Sequence, residues 1–275
     1  MYNNLTMSPI ISVVIPCYKQ AIYLPDALDS LLEQTYKSWE GIIVNDGSPD
    51  NTEEVALAYV EKDSRFKYII KTNGGLSSAR NSGISYAHGE YILPLDADDI
   101  LAPTYLEKAV TVFTDFPHTA LVYCQGCFFG VREGVWDLHY ENYQTLLLGN
   151  SIFCSALYRK DDCISIGGYD EDMKLGYEDW EFYIRLLNES SVVYQIPEVL
   201  FSYRKKEISM VTECEKRIAD VHNYIFAKNI DKYQVYFGSA IDSLRNLIYY
   251  RRKVEKYKRK WYRRLFLSVK ALFHR

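Results

Sequence analysis

Three carboxylates follow an apolar, strand-like run within the segment YILPLDADDI, residues 91–100. Asp96, Asp98 and Asp99 repel one another unless a cation lies among them. Carboxylate oxygens are the ligands that Mg²⁺ and Mn²⁺ prefer, and an ion held by one or two of them keeps coordination positions free for substrate phosphates. The spacing therefore predicts a divalent-metal site. The alternative is that Asp99 caps a helix while Asp96 and Asp98 are solvated.

Two other acidic positions stand where elements meet turns. Asp46 opens the turn DGSPDNT, where its carboxylate can accept a hydrogen bond from a ligand N–H or serve only as a turn former. Asp179 follows Glu178 in GYEDW, residues 176–180, where it can act as a general base or complement the dipole of a helix. Taken together, a nucleotide-binding turn, a diphosphate–metal site and a base are the parts that transfer of a sugar requires.

Alternating strand and helix patterns bring these residues to one edge of a sheet. Continuous apolar runs predict buried parallel strands, and the helical spacing between them predicts crossover helices. Ligands of such sheets bind beyond the carboxyl ends of the strands, where Pro16, Asp46 and Asp96 fall. Neither a G-x-G-x-x-G after the first strand nor a P-loop occurs in the sequence. The predicted strands are 10–16, 39–45, 66–71 and 91–95, with helices at 23–34, 53–62 and 77–86.

The second half of the chain has a less regular pattern. A helix follows Pro103, strands are predicted at 121–131, 151–159 and 196–204, and a helix begins near Glu178. Beyond Thr212 the pattern is helical to the end. We therefore predict an α/β fold with a mixed, mainly parallel sheet over residues 1–210 and a helical, basic extension over residues 211–275.

Five blocks of this sequence occur in the order found in the family 2 glycosyltransferases, which the chain resembles from about residue 10 to 205. The resemblance implies the GT-A fold and an inverting, metal-dependent transfer from a nucleotide-diphosphate sugar, such as a UDP-hexose or UDP-N-acetylhexosamine. The blocks are VVIPCYKQ (13–20), QTYKSWEGIIVNDGSPDNT (34–52), NGGLSSARNSGI (73–84), YILPLDADD (91–99) and GGYDEDMKLGYEDWEFYIRL (167–186).

The resemblance also implies a role for each matched residue. Asp46 reads the uracil ring, and Pro16 and Tyr18 belong to the first-strand loop beside the base. Asp179 is the catalytic base. The remaining roles are Arg80 near the diphosphate, Asp96 near the ribose, Asp98 as the ligand of Mn²⁺ or Mg²⁺, and Asp99, Glu178, Arg204 and Lys205 as supporting residues.

One departure from the family pattern concerns the metal. Many relatives carry a histidine just after the Tyr-Arg pair that stands here as Tyr203-Arg204, whereas this chain continues with Lys205 and Lys206. The change removes a possible third protein ligand. Lysines can instead meet the diphosphate as point charges.

The net charge of −4 divides unevenly along the chain. Residues 245–275 carry twelve Lys or Arg and one Glu, net +11, which leaves −15 for residues 1–244. Apolar and aromatic residues recur there in three- and four-residue steps: Val254, Tyr257, Trp261, Leu265, Val269 and Leu272. This pattern favours an amphipathic helix that binds an anionic membrane surface through residues 251–275, with packing on the catalytic domain as the alternative. The acidic remainder argues against nucleic acid as a partner.

The sequence lacks both a run of apolar residues long enough to span a membrane and a secretory signal pattern, and its cysteines form no disulfide framework. We therefore expect a cytoplasmic protein, peripheral at the inner face of the cell membrane, with a glycan or lipid-linked acceptor in cell-surface polysaccharide synthesis. A glycoside hydrolase explains fewer of the features because it needs no nucleotide turn. A sugar nucleotidyltransferase would need a Gly- and Arg-rich first loop where PCYK (16–19) stands. A non-catalytic sugar-nucleotide binder stays open.

Overall fold

The computed structural model describes residues 10–174, 176–207, 214 and 216–272. The chain divides into two units, Met1–Ile225 and Phe226–Arg275. In the described part of the chain, one mixed sheet has the strand order β3-β2-β1-β4-β8-β6-β9-β5, with β7 paired to β6. The strands are β1 (Ile11–Cys17), β2 (Trp39–Asn45), β3 (Phe66–Ile70), β4 (Tyr91–Pro94), β5 (Ile100–Leu101), β6 (Thr119–Gly130), β7 (Gly134–Trp136), β8 (Leu157–Arg159) and β9 (Val192–Lys205).

Helices follow most of the strands of the first unit, and the second unit is helical. Those of the first unit are α1 (Leu24–Leu32), α2 (Thr52–Lys62), α3 (Leu76–Tyr86), α4 (Tyr105–Asp115), α5 (Tyr143–Leu148), α6 (Lys160–Ser165) and α7 (Glu178–Leu186). The helix α8 (Ile218–Lys228) begins in the first unit, and α9 (Ile230–Phe237) and α10 (Ala240–Leu272) belong to the second.

The amino-terminal half of the sheet is parallel, as the sequence predicts. β1 pairs in parallel with β2 and β4, and β2 pairs with β3. Every residue of β1 and β2 is buried, which fits apolar runs covered by helices on both faces. α1 buries its Leu24, Leu28 and Leu31 at helical spacing. The carboxyl ends of β1, β2 and β4 therefore lie side by side.

The other half of the sheet is mixed. β6 is parallel to β9 and antiparallel to β8, which in turn is antiparallel to β4. The two-residue strand β5 pairs antiparallel with the end of β9, with Ile100 opposite Ser202. This short pairing matters for the site because it brings the residues just before Ile100 alongside those just after Ser202.

The strand predicted at 151–159 is wrong over most of its length. Only Leu157–Arg159 forms a strand, and the Ala156 amide donates to the Cys154 carbonyl in a turn. Ile152 and Phe153 are nevertheless buried, and the Phe153 ring stacks on Phe201 at 4.4 Å between centroids. The apolar run reflects burial of an irregular segment, which a strand-like pattern resembles over so few residues.

The second unit contains the long basic helix α10. Its described side chains include a row of exposed apolar and aromatic residues, and the rest of the predicted stripe, Leu265, Val269 and Leu272, lies outside the described side chains. The predicted domain boundary after residue 210 likewise falls outside the described residues. Across the described chain, α10 included, no helix has the length and apolar character needed to cross a membrane. The exposed row consists of Leu247, Tyr250, Val254, Tyr257 and Trp261.

Candidate active-site cleft

A cleft of about 570 Å³ opens beyond the carboxyl ends of β1, β2 and β4. Its size lies within the range of clefts that bind small organic ligands, about 300–1,000 Å³. Most of the side chains singled out in the sequence meet there although they come from distant parts of the chain. Those that line the cleft are Pro16, Tyr18, Asp46, Asp96, Asp98, Glu178, Asp179 and Lys205.

Asp46 is buried at the first end of the cleft, and its carboxylate is held by neighbours on both oxygens. The Gly74 amide and the Lys71 ammonium donate to Oδ1 at 3.0 and 2.8 Å, and the Gly75 amide donates to Oδ2 at 2.8 Å. The turn after Asp46 needs glycine because Gly47 has a φ of +65°, and a Cβ there would lie 2.9 Å from the Asn73 nitrogen. Oδ2 accepts one bond in the described structure, so it can accept another from a ligand N–H.

Asp96 is joined to the far side of the site through Arg80. The Arg80 guanidinium is fully buried and donates to Asp96 Oδ1 at 2.7 Å and to Glu178 Oε1 at 2.5 Å. Burial alone would lower the pKa of Arg80, but the two carboxylates raise it well above its ordinary value. The sequence analysis expects Arg80 near the diphosphate. Its side chain instead lies behind the cleft, where it connects α3 to the start of α7.

Asp98 and Asp99 contact residues at and just after the end of β9. Lys206 Nζ lies 2.6 Å from Asp98 Oδ2, and the backbone amide of Arg204 donates to Asp99 Oδ1 at 2.9 Å. The Arg204 Nε also donates to the Asp98 carbonyl at 2.9 Å. The β5–β9 pairing creates these contacts because it runs the two segments past each other in opposite directions. Asp98 thus has a cationic partner in the protein, and Asp99 a backbone amide, which the sequence pattern alone did not indicate.

Asp98 and Asp99 differ in their burial and in their access to the cleft. Burial, together with Asp96, raises the pKa of Asp98, and the Lys206 ammonium opposes that rise. Asp99 is fully buried, its pKa is raised well above the ordinary value by burial and then by Asp98, and its Oδ2 has no hydrogen-bond partner among the described residues. Asp98 lines the cleft, whereas Asp99 is not among the described residues that line it.

The acids facing the cleft fit a divalent cation by the chemistry of their donors. Asp96 and Asp98 offer hard carboxylate oxygens to the cleft, as Mg²⁺ and Mn²⁺ prefer. A second possible set of metal ligands consists of Asp96, Asp99 and Cys154, whose donor atoms lie within 4.8 Å of one another. Its thiol is a soft donor whose pKa burial raises well above the ordinary value. That set is therefore a poorer match to a hard cation than the pair Asp96 and Asp98.

Asp179 lies at the other end of the cleft and has neutral partners. The Trp180 amide donates to its Oδ1 at 2.7 Å, and the Asn150 side chain donates to its Oδ2 at 3.2 Å. It forms no salt bridge with the described residues. Burial first, and then the Glu178 carboxylate, raises the pKa of Asp179 to about 7. A carboxylate that titrates near neutral pH is suited to accept a proton.

The start of α7 is fixed by hydrogen bonds from its aromatic residues. Trp180 Nε1 donates to the Leu146 carbonyl at 2.6 Å, and the Tyr183 hydroxyl donates to the Phe153 carbonyl at 2.9 Å. Tyr177, which precedes the helix and lines the cleft, has a φ of 60° in the left-handed region. Such strained conformations in non-glycine residues concentrate at functional sites. The rigid helix start holds Glu178 and Asp179 at the cleft.

Sequence reasoning missed several side chains of the cleft. Lys71 could have been found only as a basic residue next to the NGG turn, and Asn150 lies in a segment without a readable pattern. Lys206 was noticed as a departure from the family but not paired with Asp98. The aromatic residues stand in strands or turns, where they are indistinguishable from core residues. The missed lining residues include Asn73, Trp136, Asn150, Tyr177 and Tyr203.

The fold and the cleft define a class: a GT-A sheet whose strand ends carry a candidate nucleotide-binding turn, an acidic cluster and a candidate base. The model for glycosyl transferase family 2 matches residues 12–169, and that for a glycosyltransferase-like family 2 matches residues 137–250. The chain belongs to glycosyl transferase family 2.

Curated relatives share the family but are longer. An uncharacterized glycosyltransferase of Rickettsia typhi is 34% identical over 213 residues, 72% of this chain and 65% of that protein. The minor teichoic acid biosynthesis protein GgaB of Bacillus subtilis is 30% identical over 207 residues, 71% of this chain and 23% of that protein. The matched region thus spans less than two thirds of each relative.

Solved structures confirm the fold. TarS of S. aureus in complex with UDP aligns with a TM-score of 0.62 at 20% identity, over 82% of this chain and 72% of that one. The mannosyltransferase PcManGT from Pyrobaculum calidifontis, in complex with GDP-Man and Mn²⁺, aligns with a TM-score of 0.63 at 20% identity, over 82% and 65%. The mixed, mainly parallel sheet predicted from the sequence is that of these GT-A proteins.

Proposed function

We propose that this chain transfers a sugar from a nucleotide-diphosphate donor, a UDP-hexose or UDP-N-acetylhexosamine, to a hydroxyl of a glycan or lipid-linked acceptor. The observation that carries the proposal is the meeting of Asp46, Asp98 and Asp179 in one cleft. The teichoic acid relative and the structure of TarS with UDP-GlcNAc support the choice of donor and of cell-surface polysaccharide as the product class.

The nucleotide would bind at the end formed by β1 and β2. Tyr18 is exposed beside Pro16 and offers an aromatic face to a base. Asp46 Oδ2 accepts the ring N–H of uracil, because the Gly74 and Gly75 amides and Lys71 hold the carboxylate in place. Asp96 meets the ribose while Arg80 fixes its orientation from behind.

The diphosphate would bind at the acidic cluster. Asp98 would hold Mg²⁺ or Mn²⁺, which when bound stabilises negative charge on a departing diphosphate. Lys205 and Lys206 line the same cleft and contribute positive charge of their own. Arg80 contributes by positioning Asp96 and Glu178, since its guanidinium is paired with both and fully buried.

The acceptor would react at Asp179. This carboxylate takes the proton from the acceptor hydroxyl as the hydroxyl oxygen bonds to the anomeric carbon and the bond to the diphosphate breaks. A single displacement of this kind inverts the anomeric configuration. The pKa of Asp179, about 7, leaves a large fraction of this carboxylate ionised and able to accept a proton at neutral pH. General-base assistance contributes about 10²–10⁴ in rate.

The basic helix α10 is proposed to bind an anionic membrane surface through residues 251–275. Its described face exposes Tyr250, Val254, Tyr257 and Trp261 among a high density of Lys and Arg. Each basic residue near such a surface contributes about 1 kcal/mol. Changing Arg251, Arg252 and Lys253 to Gln should reduce pelleting with anionic liposomes, with neutral liposomes as the control. Unchanged pelleting would contradict membrane contact through this segment.

Incubation of the full chain with UDP- and GDP-sugars and Mn²⁺ tests the enzymatic proposal. We expect nucleotide release with one donor, increased by the correct acceptor. Asp172→Asn, an exposed Asp in the segment before α7, is the matched control for changes at Asp179. Donor binding without release would indicate a non-catalytic sugar-nucleotide binder, and pyrophosphate exchange would indicate a nucleotidyltransferase.

A further inference from the structure

Lys206 lies at Asp98, where the sequence pattern predicts a metal ion. Its Nζ is 2.6 Å from Asp98 Oδ2 and donates to Gln20 Oε1 at 3.1 Å. The same nitrogen is 5.3 Å from the centroid of the Tyr23 ring. The side chains of Lys206 and Asp98 are only 18% and 17% exposed, so solvent and salt screen their attraction less than at the surface.

The neighbouring cations of the cleft are engaged differently. Arg80 is fully buried between two carboxylates, and Lys205 Nζ lies 4.9 Å from the ring centroids of Phe128 and Tyr203. Lys206 both lines the cleft and holds the carboxylate that is the candidate metal ligand. It is therefore the cation whose position bears directly on metal binding.

An ammonium and a divalent ion compete for the same carboxylate. A metal that binds Asp98 through Oδ2 must displace Lys206 and lose Coulomb energy to its charge. The ammonium, for its part, has three donors and no acceptor. Asp98 and Gln20 take two of them among the described residues, which leaves one for a phosphate oxygen of a ligand in the cleft.

We propose that Lys206 is a built-in cation that supplies, at Asp98, part of the positive charge that a divalent ion provides. The cleft then binds a nucleoside diphosphate even when metal is chelated, and it binds Mn²⁺ alone weakly. The diphosphate part of this inference rests on the proposed function, whereas the competition between Lys206 and Mn²⁺ does not.

Two measurements on the full chain test the inference. The first is Mn²⁺ affinity without nucleotide, from the loss of the paramagnetic resonance signal of free Mn²⁺. The second is the affinity for UDP, with GDP in parallel, by calorimetry in EDTA and in Mn²⁺. The variants are Lys206→Gln, Lys206→Arg, which keeps the charge, and Lys108→Gln, a control whose ion pair with Glu198 lies at the surface. Thermal unfolding verifies that each variant is folded.

For the wild-type protein we expect UDP affinities in EDTA and in Mn²⁺ to agree within about tenfold. Lys206→Gln should lose about tenfold or more in EDTA, as expected for a lost charge-assisted hydrogen bond, and should regain affinity in Mn²⁺. The same variant should bind Mn²⁺ about tenfold more tightly because a unit charge next to the site is gone. Lys206→Arg and Lys108→Gln should resemble the wild type.

Equal Mn²⁺ affinity in the wild type and Lys206→Gln would overturn the inference, as would tighter Mn²⁺ binding by Lys206→Arg equal to that of Lys206→Gln. A wild-type protein that binds UDP only in Mn²⁺ would overturn it as well. If neither nucleotide binds in either buffer, the proposed donor is contradicted, and the Mn²⁺ affinities still decide whether Lys206 competes with the ion.

Discussion

The carboxylates at the two ends of the cleft have different kinds of partner. At the acidic cluster, Asp96 is paired with Arg80 and Asp98 with Lys206, both within 2.7 Å. At the start of α7, Asp179 accepts only from the Trp180 amide and Asn150 in the described structure, and its pKa rises to about 7. Ion pairs orient the carboxylates that would bind the donor, whereas burial beside Glu178 gives Asp179 a pKa at which it takes up a proton near neutral pH.

The largest expected effect comes from removing the unpaired acid. Asp179→Asn keeps the size of the side chain and one hydrogen-bond acceptor but cannot accept a proton. We expect donor affinity to be retained and the rate of sugar transfer to fall by about 10²–10⁴. Calorimetry for the donor and nucleotide release for turnover separate the two effects. Transfer at the rate of the Asp172→Asn control would remove Asp179 from its role.

The paired end is most directly broken at Arg80. Arg80→Met leaves the buried Glu178 carboxylate and the partly buried Asp96 carboxylate without their cation, which costs about 3–5 kcal/mol of the free energy of unfolding. Chemical denaturation measures this loss. Arg217→Met breaks an exposed pair with Asp220 and should cost at most about 1 kcal/mol. Equal losses in both variants would mean that the buried pairs do not organise the site.

Nucleotide affinity should fall when the charge of Asp46 is removed. Asp46→Asn weakens the acceptor for a ring N–H and places an amide against donors from Gly74, Gly75 and Lys71. We expect UDP to bind about tenfold or more weakly, as for loss of a hydrogen bond to a charged group. Asp63→Asn, which affects a local pair with Arg65, is the control. Unchanged UDP affinity would mean that the uracil ring does not bind at Asp46.

The smallest effect concerns the neutral partner of Asp179. Asn150 donates to Oδ2 at 3.2 Å and so lowers the pKa that burial has raised. Asn150→Leu should move the midpoint of the pH–rate profile upward by less than about one pH unit. A downward shift would contradict the assignment of that hydrogen bond to the ionised form.

The sequence was sufficient to predict the parallel half of the sheet, in which strands and helices alternate. β2 and its neighbours are apolar runs separated by helical spacing, and their order fixes which turns share an edge of the sheet. Asp46 and Asp96 could therefore be placed together before the structure was known. The irregular segment at 151–156 could not be recognised, because burial gives a loop the composition of a strand.

The pairing of charges in the site could not be predicted because it depends on a two-residue strand. β5 has no periodicity that could be detected, yet its register with β9 sets Lys206 against Asp98 and Arg204 against Asp99. The acids were visible in the sequence and so were the lysines. Which of these residues meet depends on contacts between positions about one hundred residues apart, as for the Arg204 amide and Asp99.

The most direct test of the account is the pH dependence of kcat/KM for the nucleotide sugar, which reports the ionisation of the free protein. Asp179 is protonated below its raised pKa and cannot accept a proton there, so kcat/KM should rise with pH through about 7 and level off above it. Asp179→Asn should lose this rise. A wild-type profile that is flat between about pH 5 and 9 would contradict the claim that Asp179, a half-buried carboxylate without an ion pair in the described structure, is the base.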